Sequence, residues 1–539
     1  MTAELNRRDA LRLLGLGAGA ALVAACSPAA LAPAAAPTLA PAAAANPQAT
    51  SLPAGAQPKS GGTLRFAQTA NPVSIDGNSI AGGGNETAWL VFDRLTTYDA
   101  NRQPQPMLAE SWDISSDYRQ FKFNLRKGVQ FHSGRELTSD DVKYTILRLR
   151  DSTVGSGILA GFSNWFASID LPDKYTVVLK TEQPRPTFFD AIELFNIVDK
   201  DNVSGPDAKS KIVGTGPFTF VEWQNGDHFT VARNKNYWQS GRPYVDQIVS
   251  YVRDQQAMDL QLESGSLDVV KIPFVDDFVR LKSDPEYQAV IHPASGTFFE
   301  IGFNTAIAPF NDKRVRQALN YAMDRKRFCD TIWHGTAEPL NLPWSATSPA
   351  FDAAKNAVYS YDLDKARALL TAAGVSNLET GILVNGIGAP QVLQFAQIYQ
   401  DSLARIGVKL NIQNVQPSVW VDTLINKKPD YTGMWGGSDQ IAQLAPSTLF
   451  QLSPGWRLEN NHSAFRDDVW SSLVNSTLSE TDATKQKELF GRLNDYILDQ
   501  SFTVPIATYP YTILMHANVK GVQYQLHNGG LSFTETWLA

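Results

Sequence analysis

The chain has 539 residues, 54 acidic and 47 basic side chains, a formal net charge of −7, 43% apolar and 19% charged residues. This is the composition of a folded protein with several domains, and it excludes a largely disordered chain. An acidic excess without a basic tail speaks against affinity gained by neutralising phosphates, so no nucleic-acid partner is expected.

At the start, Arg7, Arg8 and Arg12 precede an apolar stretch from Leu13 to Ala25. Its 13 residues fall short of the roughly 20 that a membrane-spanning helix needs. Residues 1–25 therefore read as an export signal. The Arg7-Arg8 pair is twin-arginine-like, although Ala10 stands where a large apolar residue is usual, and the general secretory route stays open. Leu22-Val23-Ala24-Ala25-Cys26 resembles a lipobox and makes Cys26 the expected lipidation site. Ser27 to Lys59 holds 14 Ala and 7 Pro in 33 residues with one charge. Such a stretch cannot form a core, so residues 26–60 read as a lipidated cysteine and its tether.

The body begins near Gly61. Leu64 and Phe66 alternate with polar neighbours and predict a first core strand. Phe121, Phe123 and Leu125 predict a half-buried strand. Thr138 and Asp141 have capping-box spacing ahead of the helical stripe Val142, Ile146 and Leu149. Phe218 and Phe220, the turn Asn225-Gly226-Asp227, then Phe229 and Val231 predict a hairpin. Asp312 can cap a helix whose stripe is Val315, Ala318, Leu319, Ala322 and Met323. A further helix runs from about Asp364 to Gly374. Another carries Leu393, Ala396, Tyr399, Leu403 and Ile406, and passes through Gly407 into the alternating strand Val408, Leu410, Ile412. Helix, glycine and strand in succession belong to an α/β layer.

The chain contains no G-x-S-x-G, H-E-x-x-H, C-x-x-C or G-x-x-x-x-G-K-[ST] motif. Its seven histidines are scattered, so neither a local metal cluster nor a cofactor site is expected. Cys329 falls on an amphipathic helix and reads as a small buried apolar residue. No spacing singles out a catalytic pair of carboxylates.

Three long blocks nevertheless stand out: Tyr98 to Val142, with Ala109-Glu110-Ser111-Trp112 and Phe123-x-Leu125-Arg126-x-Gly128-Val129-x-Phe131-His132-x-Gly134; Gly214 to Trp238, with Gly214-Thr215-Gly216-Pro217-Phe218 and Arg233-Asn234-x-x-Tyr237-Trp238; and Asn304 to Asp324. With Gly61 to Phe66 they resemble, in order, the signature segments of the bacterial extracellular solute-binding proteins of family 5, the oligopeptide, dipeptide and nickel class that serves ABC importers. The resemblance covers essentially the whole body. Trp112, His132 and Trp238 read as packing residues, and Arg314 and Arg316 as residues that pair with and orient a helix.

The resemblance implies a two-lobed α/β fold like that of periplasmic binding proteins, of type II, in the large class with an extra domain in lobe one. Lobe one is expected at 61–96, 210–296 and 502–539, its extra domain at 97–209, and lobe two at 297–501. It further implies a monomeric, non-enzymatic binding protein at the periplasm or the outer face of the cytoplasmic membrane, lipid-anchored through Cys26. Such a protein closes on a peptide or peptide-like solute and passes it to permease subunits driven by a cytoplasmic ATPase. An oligosaccharide, an opine or a nickel chelate stays open as the solute, and a secreted hydrolase or a chemoreceptor-linked sensor as the role.

Candidate solute contacts are Asn71, Pro72, Val73 and Ser74 after the first strand, and Trp435, Gly436, Gly437, Ser438 and Asp439 in lobe two. In peptide-binding relatives a W-x-x-D motif gives an aromatic wall and a carboxylate for the peptide's ammonium. Here Trp435 matches the tryptophan, but Ser438 stands at the carboxylate position and Asp439 comes one residue late. A one-residue shift in extended chain turns a side chain to the other face. On that reading Asp439 misses the ligand, and because a buried ammonium without its carboxylate is unfavourable, either the Gly436-Gly437 pair lets the segment rearrange or the solute is not an ordinary peptide.

Overall fold

The computed structural model describes residues 57–69, 74, 76–78, 85–99, 102–203, 212–292, 297–387, 389–426, 431, 433–439, 446–525 and 530–539. The export signal, Cys26 and nearly all of the tether lie outside these residues. Among the described residues, no helix is long and apolar enough to cross a membrane.

The alternating segment after Gly61 forms the strand Thr63–Gln68. It sits inside a seven-stranded sheet, parallel to Gln247–Val252 on one side and to Val269–Lys271 on the other. Phe218–Gln224 and His228–Arg233 form the expected hairpin at one edge, with Gly226 at φ 80°, a left-handed turn position that suits glycine. Thr512–His516 and Tyr287–Ile291 complete the other edge.

Ala109–Ile114, Gln120–Leu125, Phe166–Asp173 and Thr176–Thr181 make a separate four-stranded antiparallel sheet. The helix Ser139–Leu149 begins beside it, and Asp141 accepts from the backbone N–H of Thr138 at 2.9 Å, as the capping-box spacing predicts. Val142, Ile146 and Leu149 are buried against Phe121, Phe123 and Phe131.

Two of the sequence blocks, Tyr98 to Val142 and Gly214 to Trp238, meet beside Asp93, which is almost wholly buried. Its carboxylate accepts from the Trp238 indole at 2.8 Å, from Thr215 Oγ1 at 3.1 Å and from the Tyr237 hydroxyl at 3.3 Å. Gly214 and Gly216 pass so close to the chain at Val91 that a Cβ on Gly214 would fall 2.1 Å from the Val91 carbonyl oxygen. His132 Nε2 meets the Gly216 carbonyl at 3.0 Å. The motifs are a packing knot, and the packing roles expected for His132 and Trp238 follow from it.

The second half builds a five-stranded sheet in the order Lys409–Asn414, Glu379–Val384, Gly433–Asp439, Phe298–Phe303, Thr503–Thr508. Thr503–Thr508 is hydrogen-bonded along Phe298–Phe303, so the boundary expected at residue 502 cuts ahead of a strand of this sheet. Lys313–Tyr321 is capped by Asp312, which accepts from the Arg314 N–H at 2.8 Å. Arg314 pairs with Asp312, and Arg316 donates to the carbonyls of Phe310 and Gln500, as expected of helix-orienting residues. Leu363–Ala372 and Pro390–Ala404 are the other two expected helices. Cys329 is buried, which pushes its thiol up to about 12.

Candidate functional site

Strand direction locates the site. In the seven-stranded sheet Thr63–Gln68, Gln247–Val252, Val269–Lys271 and Tyr287–Ile291 all run the same way, and Ile291 pairs with Thr512, where Thr512–His516 begins. In the five-stranded sheet Glu379–Val384, Lys409–Asn414, Gly433–Asp439 and Thr503–Thr508 likewise share one direction, ending where Phe298 begins. The chain passes between the two sheets twice, at 292–297 and at 509–511, and both passages join these carboxyl-end edges. The described ends of the first passage are hydrogen-bonded to the second: His292 N–H donates to the Tyr511 carbonyl at 2.8 Å, and Tyr509 N–H to the Thr297 carbonyl at 2.9 Å. Open α/β sheets bind ligands in the crevice outside the carboxyl ends of their strands. Here two such edges face the same pair of crossing segments.

The crossing is packed and charged. Tyr509 stacks on Phe299 at 5.0 Å, and the Lys271 ammonium lies 4.9 Å from the centre of the Tyr511 ring. Burial, helped by Lys271, holds the His292 imidazole down at about 4, so it is neutral. Elsewhere, Ser447 of the helix Pro446–Leu452 donates to Asp190 Oδ2 at 2.5 Å. The other oxygen of Asp190 accepts from the Tyr98 hydroxyl at 2.8 Å and from Arg102 at 3.4 Å. Glu193, one turn on, is pushed up to about 7 by burial, against the pull of Arg94.

Of the candidates after the first strand, Asn71, Pro72 and Val73 lie outside the described residues. Ser74 Oγ accepts from the Asp76 N–H at 3.0 Å. Asp76 is in turn held by Arg148 at 2.5 Å, which fastens this loop to the helix Ser139–Leu149.

The second group lies on the strand Gly433–Asp439. Trp435 is 1% exposed, clustered with Leu383 and Leu424, and its indole N–H reaches Ser463 Oγ at 3.3 Å. It is a core side chain in this structure, not an aromatic wall open to the crevice. The half-buried Trp420 covers it, at 6.4 Å between ring centres, and hydrogen-bonds the Gly436 carbonyl at 3.2 Å. Gly436 and Gly437 are regular strand residues rather than a flexible loop. A Cβ on Gly436 would meet the Phe395 ring at 2.9 Å, and one on Gly437 would meet Trp420 at 3.0 Å. The glycine pair lets aromatic rings press on both faces. Ser438 pairs with Phe299 and Asp439 with Phe298; the side chain of Asp439 lies outside the described residues.

Trp420, Asp190 and Ser447 did not stand out in the sequence. Trp420 is carried by the five-residue helix Pro417–Val421, too short for a periodic signal, and the other two are paired by a contact distant in sequence. Among the described residues no group of three or more His, Cys, Asp or Glu side chains could hold a metal.

Comparison with known proteins agrees with this architecture. The chain is 27% identical over 471 residues to heme-binding protein A of Haemophilus influenzae, covering 80% of this chain and 83% of that one. It is 27% identical over 485 residues to di/tripeptide-binding protein 1 of Pseudomonas aeruginosa, covering 82% and 88%. Among solved structures, the periplasmic binding protein DppA of Helicobacter pylori in complex with the peptide STSA matches with TM-score 0.75 and 25% identity, over 89% of this chain and 98% of that one. The fold is thus the two-lobed α/β fold of periplasmic binding proteins. Residues 103–455 match the family model directly, and the chain belongs to the bacterial extracellular solute-binding proteins, family 5.

Proposed function

We propose that this chain is the extracytoplasmic solute-binding component of an ABC importer, holding a peptide or peptide-like solute in the crevice between its two sheets and releasing it unaltered to the permease. The observation that carries this reading is that both carboxyl-end edges lead into the chain crossings, where His292 and Thr297 are hydrogen-bonded to Tyr511 and Tyr509. Two connections side by side make a hinge about which lobes close. The lobes comprise 61–96, 210–296 and 509–539 with the extra domain 97–209, and 297–508. Similarity to a di/tripeptide-binding protein and to a structure holding a tetrapeptide supports the peptide class.

The lipobox-like stretch ending at Cys26 and the Ala/Pro-rich tether support lipid anchoring at the outer face of the membrane. Native mass spectrometry of protein purified without refolding tests the solute. A copurified peptide that leaves on mild activation, together with a smaller scattering radius when it is returned, is the expected result. A solute recovered chemically converted, or a radius that no peptide changes, overturns the proposal. Release of Cys26→Ser from the membrane fraction tests the anchor, and retention rejects it.

A further inference from the structure

The chain crosses between the lobes twice, and a third connection is made by side chains. Val269–Lys271 ends at the carboxyl edge of the seven-stranded sheet, and the residues after it reach over: Ile272 and Val275, both of the first lobe, pack on the core of the second, the cluster that holds Phe299, Trp333 and Leu340. Next to them Asp276 pairs with His334 Nε2 at 2.7 Å, and His334 lies in the second lobe just past the helix Arg325–Ile332. Ile272 has a φ of 58°. A β-branched residue is seldom found in that left-handed region and stays there only where its surroundings impose it. They do so from three sides. The Ile272 N–H donates to the Thr512 carbonyl at 2.7 Å, its carbonyl accepts from Gln255 Nε2 at 2.9 Å, and its side chain is seated on the other lobe.

One buried carboxyl group holds this segment from within the first lobe. Asp259, on the helix Gln255–Glu263, accepts from the Phe274 N–H at 2.9 Å and so caps Val275–Leu281, whose N-cap residue, Phe274, has no side-chain acceptor to offer. The other Asp259 oxygen is enclosed without a hydrogen-bond partner. The charged groups acting on it are Asp277 of the capped helix and Glu263 of its own, and Arg280 pairs with both of those. Burial, with Asp277 and Glu263 adding to it, raises Asp259 to about 7 against the pull of the Phe274 bond. The neutral carboxyl is the form that fits, because an ionised one would place a buried charge beside two like charges.

We propose that Ile272 to Asp276 is an acid-set strap between the lobes: seated, it holds the second lobe against the first, and ionisation of Asp259 releases it. This rests on the reading that the lobes move about the crossings. As pH rises through about 7 the seated form, which keeps the proton, loses ground to a released form in which the carboxyl is solvated. His334 acts in the same sense, since an imidazole pairs ionically with a carboxylate only when protonated. That pair is exposed, so it guides the seat more than it secures it. Once released, Ile272 returns to an ordinary φ, which makes the strap an element with two states.

The test uses the full chain free of solute, with X-ray scattering at pH 6 and pH 8 and hydrogen exchange at pH 6, for the parent, Asp259→Asn, Val275→Ser and His334→Gln. The parent should have the larger radius at pH 8. Asp259→Asn, neutral at both values and still able to accept from Phe274, should keep the smaller radius at both. Val275→Ser should have the larger radius at both and should speed exchange of the Ile272 and Phe274 amides by about ten-fold, with those of Thr63–Gln68 unchanged. His334→Gln should fall between. A parent radius equal at the two pH values, a pH response undiminished in Asp259→Asn, or a Val275→Ser radius equal to that of the parent overturns the proposal. If Val275→Ser does not fold, the exposed His334→Gln carries the comparison at pH 6, and a parent-like radius and exchange in it then overturn the strap. Returning the copurified solute to the parent reads the hinge by itself: a radius that the solute changes, but neither pH nor any variant changes, fails the strap alone, and a radius that nothing changes fails both.

Discussion

Ser447 Oγ hydrogen-bonds Asp190 Oδ2 at 2.5 Å although 257 residues of chain separate them. Ser447 opens the helix that follows the carboxyl edge of the five-stranded sheet, and Asp190 lies in Phe188–Ile192, which packs under the four-stranded sheet. The bond thus ties the part of the fold built on the four-stranded sheet to the part built on the five-stranded sheet. Both side chains are buried, so removing the donor leaves a carboxylate oxygen short of a partner, at a cost of about 1 kcal/mol or more. Ser447→Ala is expected to shift the solute-free protein toward more open shapes. Its scattering radius should rise and its affinity for solute fall roughly five-fold, with little change in the urea midpoint. An unchanged radius and affinity would show that the contact does not bias closure.

Four buried groups set opposing pH dependences. His292 and His462 are held by burial at about 4 and about 3, below the ordinary 6.5. Between those values the unfolded chain takes protons that the fold refuses, so their contribution is complete above about pH 6.5 and is lost as pH falls. Glu193 and Asp259 are both raised to about 7. The fold keeps protons there that the unfolded chain releases, so their contribution is complete at low pH and is lost as pH rises toward 7. Between about pH 5 and 6 the two pairs oppose each other, each group accounting for close to one proton, or about 1.4 kcal/mol per pH unit. Relative to the parent, His462→Phe should make stability decline more with rising pH, and Glu193→Gln should make it decline less. Urea midpoints across that range measure both slopes, and variant curves running parallel to the parent would refute the assignment.

Much of the architecture was legible because it is local. Leu64 and Phe66, the Asn225-Gly226-Asp227 turn, Asp312 and Gly407 each carry their conformation in adjacent residues, and each lies in the expected element or turn. The placement of Thr503–Thr508 was not legible, because membership of a sheet is decided by pairing with Phe298–Phe303 some 200 residues away. Trp435 was found as a motif residue, but its burial depends on Trp420, Leu424 and His462, which no spacing connects to it.

Gly302 and Trp435 are direct partners across Phe298–Phe303 and Gly433–Asp439, and they fit only because one of them has no side chain. A Cβ on Gly302 would fall 2.1 Å from Trp435 Nε1 and 2.2 Å from Cε2, inside a ring that has no room to retreat between Trp420, His462 and Leu383. Gly302→Ala should therefore destabilise the protein by about 3 kcal/mol, at the upper end for overpacking. Trp435→Ala should cost about 3–5 kcal/mol by leaving a cavity. The two costs have one origin, so Gly302→Ala with Trp435→Leu should be more stable than the sum of its single changes by about 1–3 kcal/mol. Urea unfolding of the four proteins measures the cycle. Strict additivity would mean that the ring does not pack on Gly302. A melting temperature untouched by Trp435→Ala would return this tryptophan to the crevice as a solute contact.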